Sequence, residues 1–240
     1  MDSKEKEFDS LVVSRHEVKY FINPIKCMQL SSVLKNVMIE DKHNGADGYI
    51  IRSLYFDTYG EADFYEKLAG IENRKKIRLR VYSPNDKLVK LEIKRKFGDE
   101  QVKKSAFISK DDAKRLIDCD YDVLRKYENA TVRTIYEIMH INRVRPVVLI
   151  EYQRKAFIHP TNNIRVTVDT NIRSNETYFG LFDEFPVFCP VEEFIFALLE
   201  IKYDAFLIHW LSELLSTYDL TNGAYSKYFI SRGIFERYLT

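Results

Sequence analysis

Apolar and polar residues alternate with a period of two along much of this chain. Lys75 to Tyr82 (KKIRLRVY) sets Ile77, Leu79 and Val81 on one face and Lys76, Arg78 and Arg80 on the other. A turn signal, Ser83-Pro84-Asn85-Asp86, follows. Leu88 to Lys96 (LVKLEIKRK) then sets Val89, Leu91 and Ile93 against Lys90, Glu92, Lys94 and Lys96. After Gly98-Asp99, Gln101 to Ile108 completes a predicted antiparallel meander. Alternation also predicts strands at Arg15–Ile22 and within Val191–Tyr203, the β-branched and aromatic run Tyr49–Asp57 predicts another, and Val147–Ile158 and Ile164–Thr170 read as two more.

Helical spacing is confined to shorter stretches. Pro24 opens a predicted helix whose apolar stripe is Ile25, Met28, Leu30, Val33, Leu34 and Val37. Gly60–Leu68 reads as a short helix or turn. Ser109 caps a helix running to Ile117, and Thr131–Asn142 is a helix burying Ile135, Ile138, Met139 and Ile141. Asp204 is the expected cap of a helix carrying Leu207, Trp210, Leu211, Leu214 and Leu215, and a last helix spans Tyr225 to Tyr238. Strands outnumber helices, so the fold class is α+β around a large antiparallel sheet or closed barrel. With no repeat or linker in its 240 residues, the chain reads as a polar arm (residues 1–10) and a single domain (residues 11–240).

Charge sharpens this picture. Thirty-seven basic and thirty-six acidic residues leave a net charge of +1, so there is no global attraction to nucleic acid and an anion site requires local clustering. The N-terminus is charged from its second residue and lacks an apolar core for a signal peptide. Phe194–Leu199, the longest apolar run, is too short for a membrane span. Cys27, Cys119 and Cys189 form no CxxC pair, which fits reduced thiols in a cytoplasmic protein. Phosphate-loop, dinucleotide and nucleophile-elbow motifs are missing, and His16, His43, His140, His159 and His209 show no zinc spacing.

What remains is a basic residue on one parity of nearly every strand, often with a carboxylate two positions away. The set is Glu17/Lys19, Arg78/Arg80, Glu92/Lys94, Lys103, Arg154, Arg165/Asp169 and Glu200/Lys202. On one strand this describes a wet sheet face with scattered ion pairs. Across seven strands the repulsion calls for a neutralising anion. If the sheet closes, the charged face lines a cationic lumen suited to a polyanion, with glutamates offering hard oxygen ligands to a divalent metal.

The ordered segments RHEVKY (15–20), SLYFDT (53–58), KIRLRVY (76–82), LEIKRK (91–96), EYQRKAF (151–157), IRVTVDT (164–170), LEIKYD (199–204) and SKY (226–228) resemble the VTC domain. This is the polyphosphate polymerase domain of the vacuolar transporter chaperone complex and its free-standing bacterial relatives, within the CYTH or triphosphate tunnel metalloenzyme superfamily. The resemblance implies an eight-stranded antiparallel β-barrel with helices outside, ATP or another triphosphate and polyphosphate as ligands, and Mn²⁺ or Mg²⁺. It implies phosphate contacts at Lys19, Arg78, Arg80, Lys94, Arg154, Arg165 and Lys227, with Tyr152 and Ser226 beside them, and a metal-binding carboxylate at Glu200. It adds Lys202 and the lysine of the third meander strand, Lys103, with Lys104 adjacent. The superfamily's ExExK signature stands here as Arg15-x-Glu17-x-Lys19, a departure that favours the polymerase branch. The regulatory SPX domain and membrane helices of the eukaryotic proteins have no counterpart in this sequence, and any membrane-protein partner is unknown. The expected activity is ATP-dependent polyphosphate polymerisation. The alternatives are a metal-dependent tunnel triphosphatase and a non-catalytic polyphosphate-binding module. Replacing Arg78 or Arg154 by Ala should relieve repulsion among neighbouring cations, so folding stability should stay level or rise; a sharp drop would mark a structural ion-pair partner.

Overall fold

The alternating segments assemble into one antiparallel sheet of eleven strands. The computed structural model describes residues 16–98, 100–191, 197–223 and 225–238, with the side chains of 233–238 left aside; the expected polar arm lies outside these residues. In chain order the strands are β1 (His16–Ile22), β2 (Ile39–Glu40), β3 (Tyr49–Asp57), β4 (Arg74–Val81), β5 (Leu88–Phe97), β6 (Glu100–Ser109), β7 (Arg145–His159), β8 (Ile164–Asn175), β9 (Cys189–Pro190), β10 (Ala197–Tyr203) and β11 (Thr221–Asn222). They pair in the order β11-β1-β10-β8-β7-β3-β4-β5-β6, with β2 added to β7 and β9 to β8. The predicted meander is β4-β5-β6, in register from Arg80 opposite Lys90 to Arg74 opposite Lys96 in its first pair.

The closed eight-stranded barrel is not what forms. Among the described residues eight strands are seven residues or longer, three others have two residues each, and no ladder joins the two ends of the sheet. One terminal strand, β11, offers only two residues for pairing, too short an edge for β6 to close against. The sheet nevertheless rolls. Lys94 on β5 reaches Glu17 on β1, Nζ to Oε2 3.2 Å, across six strand steps. A flat sheet would hold those strands roughly 29 Å apart at the usual spacing. The polar parity of the long strands therefore faces inward across a concave interior.

The outer face carries two apolar cores. Leu79, Leu91 and Ile108 pack with Leu116 of α3 (Lys110–Ile117) and with Ile135 and Met139 of α4 (Ala130–Asn142). Val166, Leu199 and Ile201 pack with Leu30 and Leu34 of α1 (Pro24–Val37) and with Leu211 of α5 (His209–Ser216). A third cluster joins Ile51, Tyr55, Tyr152 and Leu198 to Phe64 of α2 (Ala62–Leu68) and Tyr228 of α6 (Lys227–Tyr238), so α6 seals part of the inner face.

Side-chain caps fix several helix starts. Asn23 Oδ1 accepts from Ile25 N at 2.9 Å, and Ser109 Oγ from Asp112 N at 3.1 Å. Three helix expectations fail in detail. On α1 the buried line is Cys27, Leu30 and Leu34, while Ile25, Met28, Val33 and Val37 face solvent. On α4, Ile141 is exposed because it lies two residues, about 200°, beyond buried Met139. Asp204 does not cap α5, which starts after Ile208; its carboxylate accepts from Asn163 Nδ2 at 2.6 Å. Among the described residues no helix is long and apolar enough to cross a membrane.

Candidate functional site: a cationic concave face

The inward parity gathers nine cations around four carboxylates: Lys19, Arg78, Arg80, Lys90, Lys94, Lys103, Arg154, Lys202 and Lys227 around Glu17, Glu92, Asp169 and Glu200. Three knots form. In the first, Arg154 on β7 forks onto Asp169 on β8, Nε–Oδ1 2.6 Å and Nη2–Oδ2 2.7 Å. Lys227, at the start of α6, bridges Asp169 Oδ2 at 2.5 Å and Glu200 Oε1 at 3.1 Å. Glu200 also faces Arg154 at 3.8 Å and Lys202 at 3.9 Å.

The second knot is Glu92 on β5. It takes Arg78 Nε at 2.6 Å and Lys103 Nζ at 2.5 Å, with Arg80 at 3.7 Å. Arg78 also donates to Tyr55 Oη at 2.8 Å, and Arg80 to Ser53 Oγ at 3.2 Å and Tyr152 Oη at 3.3 Å. Glu17 anchors the third knot, with Lys19 at 2.9 Å, Lys94 at 3.2 Å and Lys202 at 3.9 Å.

Electrostatics keeps these carboxylates ionised despite burial. Burial pushes the Glu200 carboxyl upward, but Lys227, Lys19, Arg154 and Lys202 outweigh it and hold the group well below the ordinary range. The same contest brings Glu17 down to about 2, through Lys19, Lys202 and Lys94. Lys103 moves the other way. Burial lowers it to about 8, assisted by Arg78 and Arg80 and opposed by Glu92.

Most residues expected at the site are brought together here: Lys19, Arg78, Arg80, Lys94, Lys103, Arg154, Lys202, Lys227 and Glu200. Lys103, opposite Lys94, reaches Glu92, whereas Lys104 stands opposite Ile93 on the other parity. Tyr152 lies beneath two cations, its ring centroid 4.8 Å from Lys227 Nζ and 5.3 Å from Arg154 Cζ. Ser226 accepts from Lys76 Nζ at 2.7 Å. Arg165 stands apart, held by Asp41 at 2.9 Å and near Tyr49 Oη at 3.4 Å. The sequence reading did not count Asp169 and Lys76 among the site residues. Both share the inward parity, but Asp169 was paired with Arg165 on its own strand, and its fork partner lies across the ladder on β7.

No group of three or more metal-ligating side chains occurs among the described residues. The donor set around Glu200 is one carboxylate with Asp169 behind it, both tied to Lys227. That suits Mg²⁺ or Mn²⁺ arriving with phosphate oxygens and water, since such ions use one or two carboxylates plus substrate phosphates.

Backbone geometry also protects the site. Gly48 has φ +90°, and a Cβ there would collide with the Arg154 carbonyl. Gly48→Ala is expected to cost more than about 1 kcal/mol and to weaken triphosphate binding by displacing β7 at Arg154. Thermal unfolding and calorimetry would check this, with Gly60→Ala, which meets no atom within 4 Å, as the unaffected control.

Solved structures establish the class. The chain is similar to a candidate adenylate cyclase from Bacillus halodurans, with TM-score 0.53, 13% identity, and coverage of 95% of this chain and 100% of that one. It is also similar to a candidate adenylyl cyclase from Hippeastrum described as having a dominant triphosphatase activity, with TM-score 0.54, 14% identity, and coverage of 90% and 94%. At these identities the likeness establishes a shared fold and no more. Within that class the chain belongs to the VTC domain family, whose sequence pattern matches residues 14–235. Comparison with curated proteins finds no match.

Proposed function

We propose that this protein is a cytoplasmic, ATP-dependent polyphosphate polymerase. The observation that carries the reading is the excess of cations over carboxylates on a concave face, in a chain of the VTC domain family. In the proposed reaction a terminal oxygen of polyphosphate attacks the γ-phosphorus of ATP, the bond to the β,γ-bridging oxygen breaks, and ADP departs. The attacking phosphate oxygen is already anionic, so no general base is required. Catalysis then rests on positioning and charge stabilisation.

Arg78, Arg80, Lys103 and Lys94 hold phosphate oxygens from one side and Lys19, Arg154, Lys202 and Lys227 from the other, with Arg165 at the rim. The fork to Asp169 leaves Arg154 Nη1 for a phosphate. Glu200 is the residue that would hold Mg²⁺ or Mn²⁺, which when bound would supply positive charge against the developing charge of the phosphates.

ATP with Mn²⁺ is expected to yield a ladder of long phosphate polymers on a gel. Release of orthophosphate or tripolyphosphate alone would overturn the polymerase and favour a tunnel triphosphatase, the activity attributed to the Hippeastrum fold neighbour. Tight polyphosphate binding without turnover under any metal would leave a binding module.

A further inference from the structure

Lys76 differs from the nine cations described above. It lies on β4 on the same face as Arg78 and Arg80, half-buried, and no carboxylate of the described residues comes within 4 Å of it. Among the described residues its Nζ meets Ser226 Oγ at 2.7 Å and the Tyr228 ring, whose centroid is 5.1 Å away. The residue opposite it on β5 is Lys94, and one step along the same ladder Arg74 opposes Lys96. Neither Arg74 nor Lys96 has a carboxylate among the described residues within that distance, and Lys67 of α2 adds another positive charge to the group. Like charges directly opposite one another on a ladder destabilise it, and burial adds to the cost. Among the described residues no carboxylate neutralises this row, and a bound anion would stabilise it.

We propose that Lys76, Ser226, Arg74, Lys96 and Lys67 form a second anion subsite, which takes the phosphates of a linear polyphosphate lying beyond the triphosphate held at the Glu92 and Glu200 knots. The ligand named here rests on the polyphosphate reading of the site. The subsite itself rests on the unpaired cations.

A proton signature accompanies it. Burial, then Lys19 on β1, Lys94 on β5, Lys67 on α2 and Arg74 on β4, push the Lys76 amine down to about 7, and the described groups in contact with it are Ser226 Oγ and the Tyr228 ring on α6. At pH 8 the amine is mostly neutral, and a phosphate oxygen placed beside it favours the ammonium. Long-chain binding should therefore draw a proton from solvent. Lys103, near 8, adds uptake common to every phosphate ligand, so the difference between ligands is the informative quantity.

The test is calorimetry at pH 8, without metal or nucleotide, in two buffers of different ionisation heat. Inorganic triphosphate and long-chain polyphosphate are titrated into wild type, Lys76→Met and Lys96→Met. Both variants should lose about ten-fold or more in long-chain affinity, as expected for one charge-assisted hydrogen bond, and less than about two-fold for triphosphate. The extra proton uptake should vanish in Lys76→Met, whose ligand-free unfolding midpoint stays level or rises. Equal losses for both ligands would place Lys76 in the triphosphate site and overturn the subsite, as would unchanged binding. If ATP yields no polymer but the chain-length-selective loss persists, the polymerase reading fails and the subsite stands. If polymer forms and the variants bind like wild type, the subsite fails alone.

Discussion

Glu200→Gln is expected to abolish turnover while metal-free binding of inorganic triphosphate stays level or tightens. The glutamate sits in a pocket of positive charge, with Lys227, Arg154 and Lys202 within 4 Å. One reading makes it a partner that merely neutralises these cations. The other makes it the hard oxygen that holds a divalent ion between the protein and the phosphates. Glutamine keeps the shape and can still accept from Lys227, which also retains Asp169 at 2.5 Å, so the fold should persist. Removing one negative charge from a cationic face strengthens attraction for triphosphate when no metal is present. Turnover should fall by at least about 10²–10³-fold, the range seen when a single electrostatic contact to a transition state is lost. Polymer yield and phosphate release with Mn²⁺, alongside calorimetry without it, separate the two effects. Full activity of the variant would point instead to Glu92, with four cations of its own within 4 Å, or to Glu17, with three.

Much of this site was legible because a strand's period is two. Fixing Leu79 in the core commits Arg78 and Arg80 to the opposite face, whatever the sheet does as a whole, and β4, β5 and β7 follow that rule. Closure was not legible, because it depends on whether edge strands are long enough to pair, and β11 has two residues. Partner choice was obscured for the same kind of reason. The sequence sets Asp169 beside Arg165, yet a strand presents its side chains to the neighbouring strand as readily as along itself, and Arg154 on β7 takes the carboxylate. Lys76 was visible as an inward lysine. That no described carboxylate reaches it could be known only once Lys94 and Lys96 were placed opposite Lys76 and Arg74. Helix stripes failed where apolar residues outnumbered the width of one face, as on α1, whose Ile25 and Met28 are left outside.

That cross-strand partnership reverses the stability expected for Arg154→Ala. A guanidinium facing only other cations could be removed at no cost to folding. Arg154 instead forks onto Asp169, which is fully buried, at 2.6 and 2.7 Å. Truncation leaves that carboxylate with Lys227 as its remaining described ion-pair partner and removes one side-chain link from the β7–β8 ladder at the centre of the site. Breaking a buried pair by deleting one partner costs about 3–5 kcal/mol. For a chain of this size the unfolding midpoint should drop by roughly 6–20 °C. Lys202→Ala, with contacts of 3.9 Å near the rim, should move it far less. A double variant, Arg154→Met with Asp169→Leu, removes both charges and should recover part of the loss, since no buried carboxylate is then stranded. An unchanged midpoint in Arg154→Ala would mean that the fork contributes nothing to folding. The guanidinium would then be held in place for the ligand alone, and its loss would register only in triphosphate affinity.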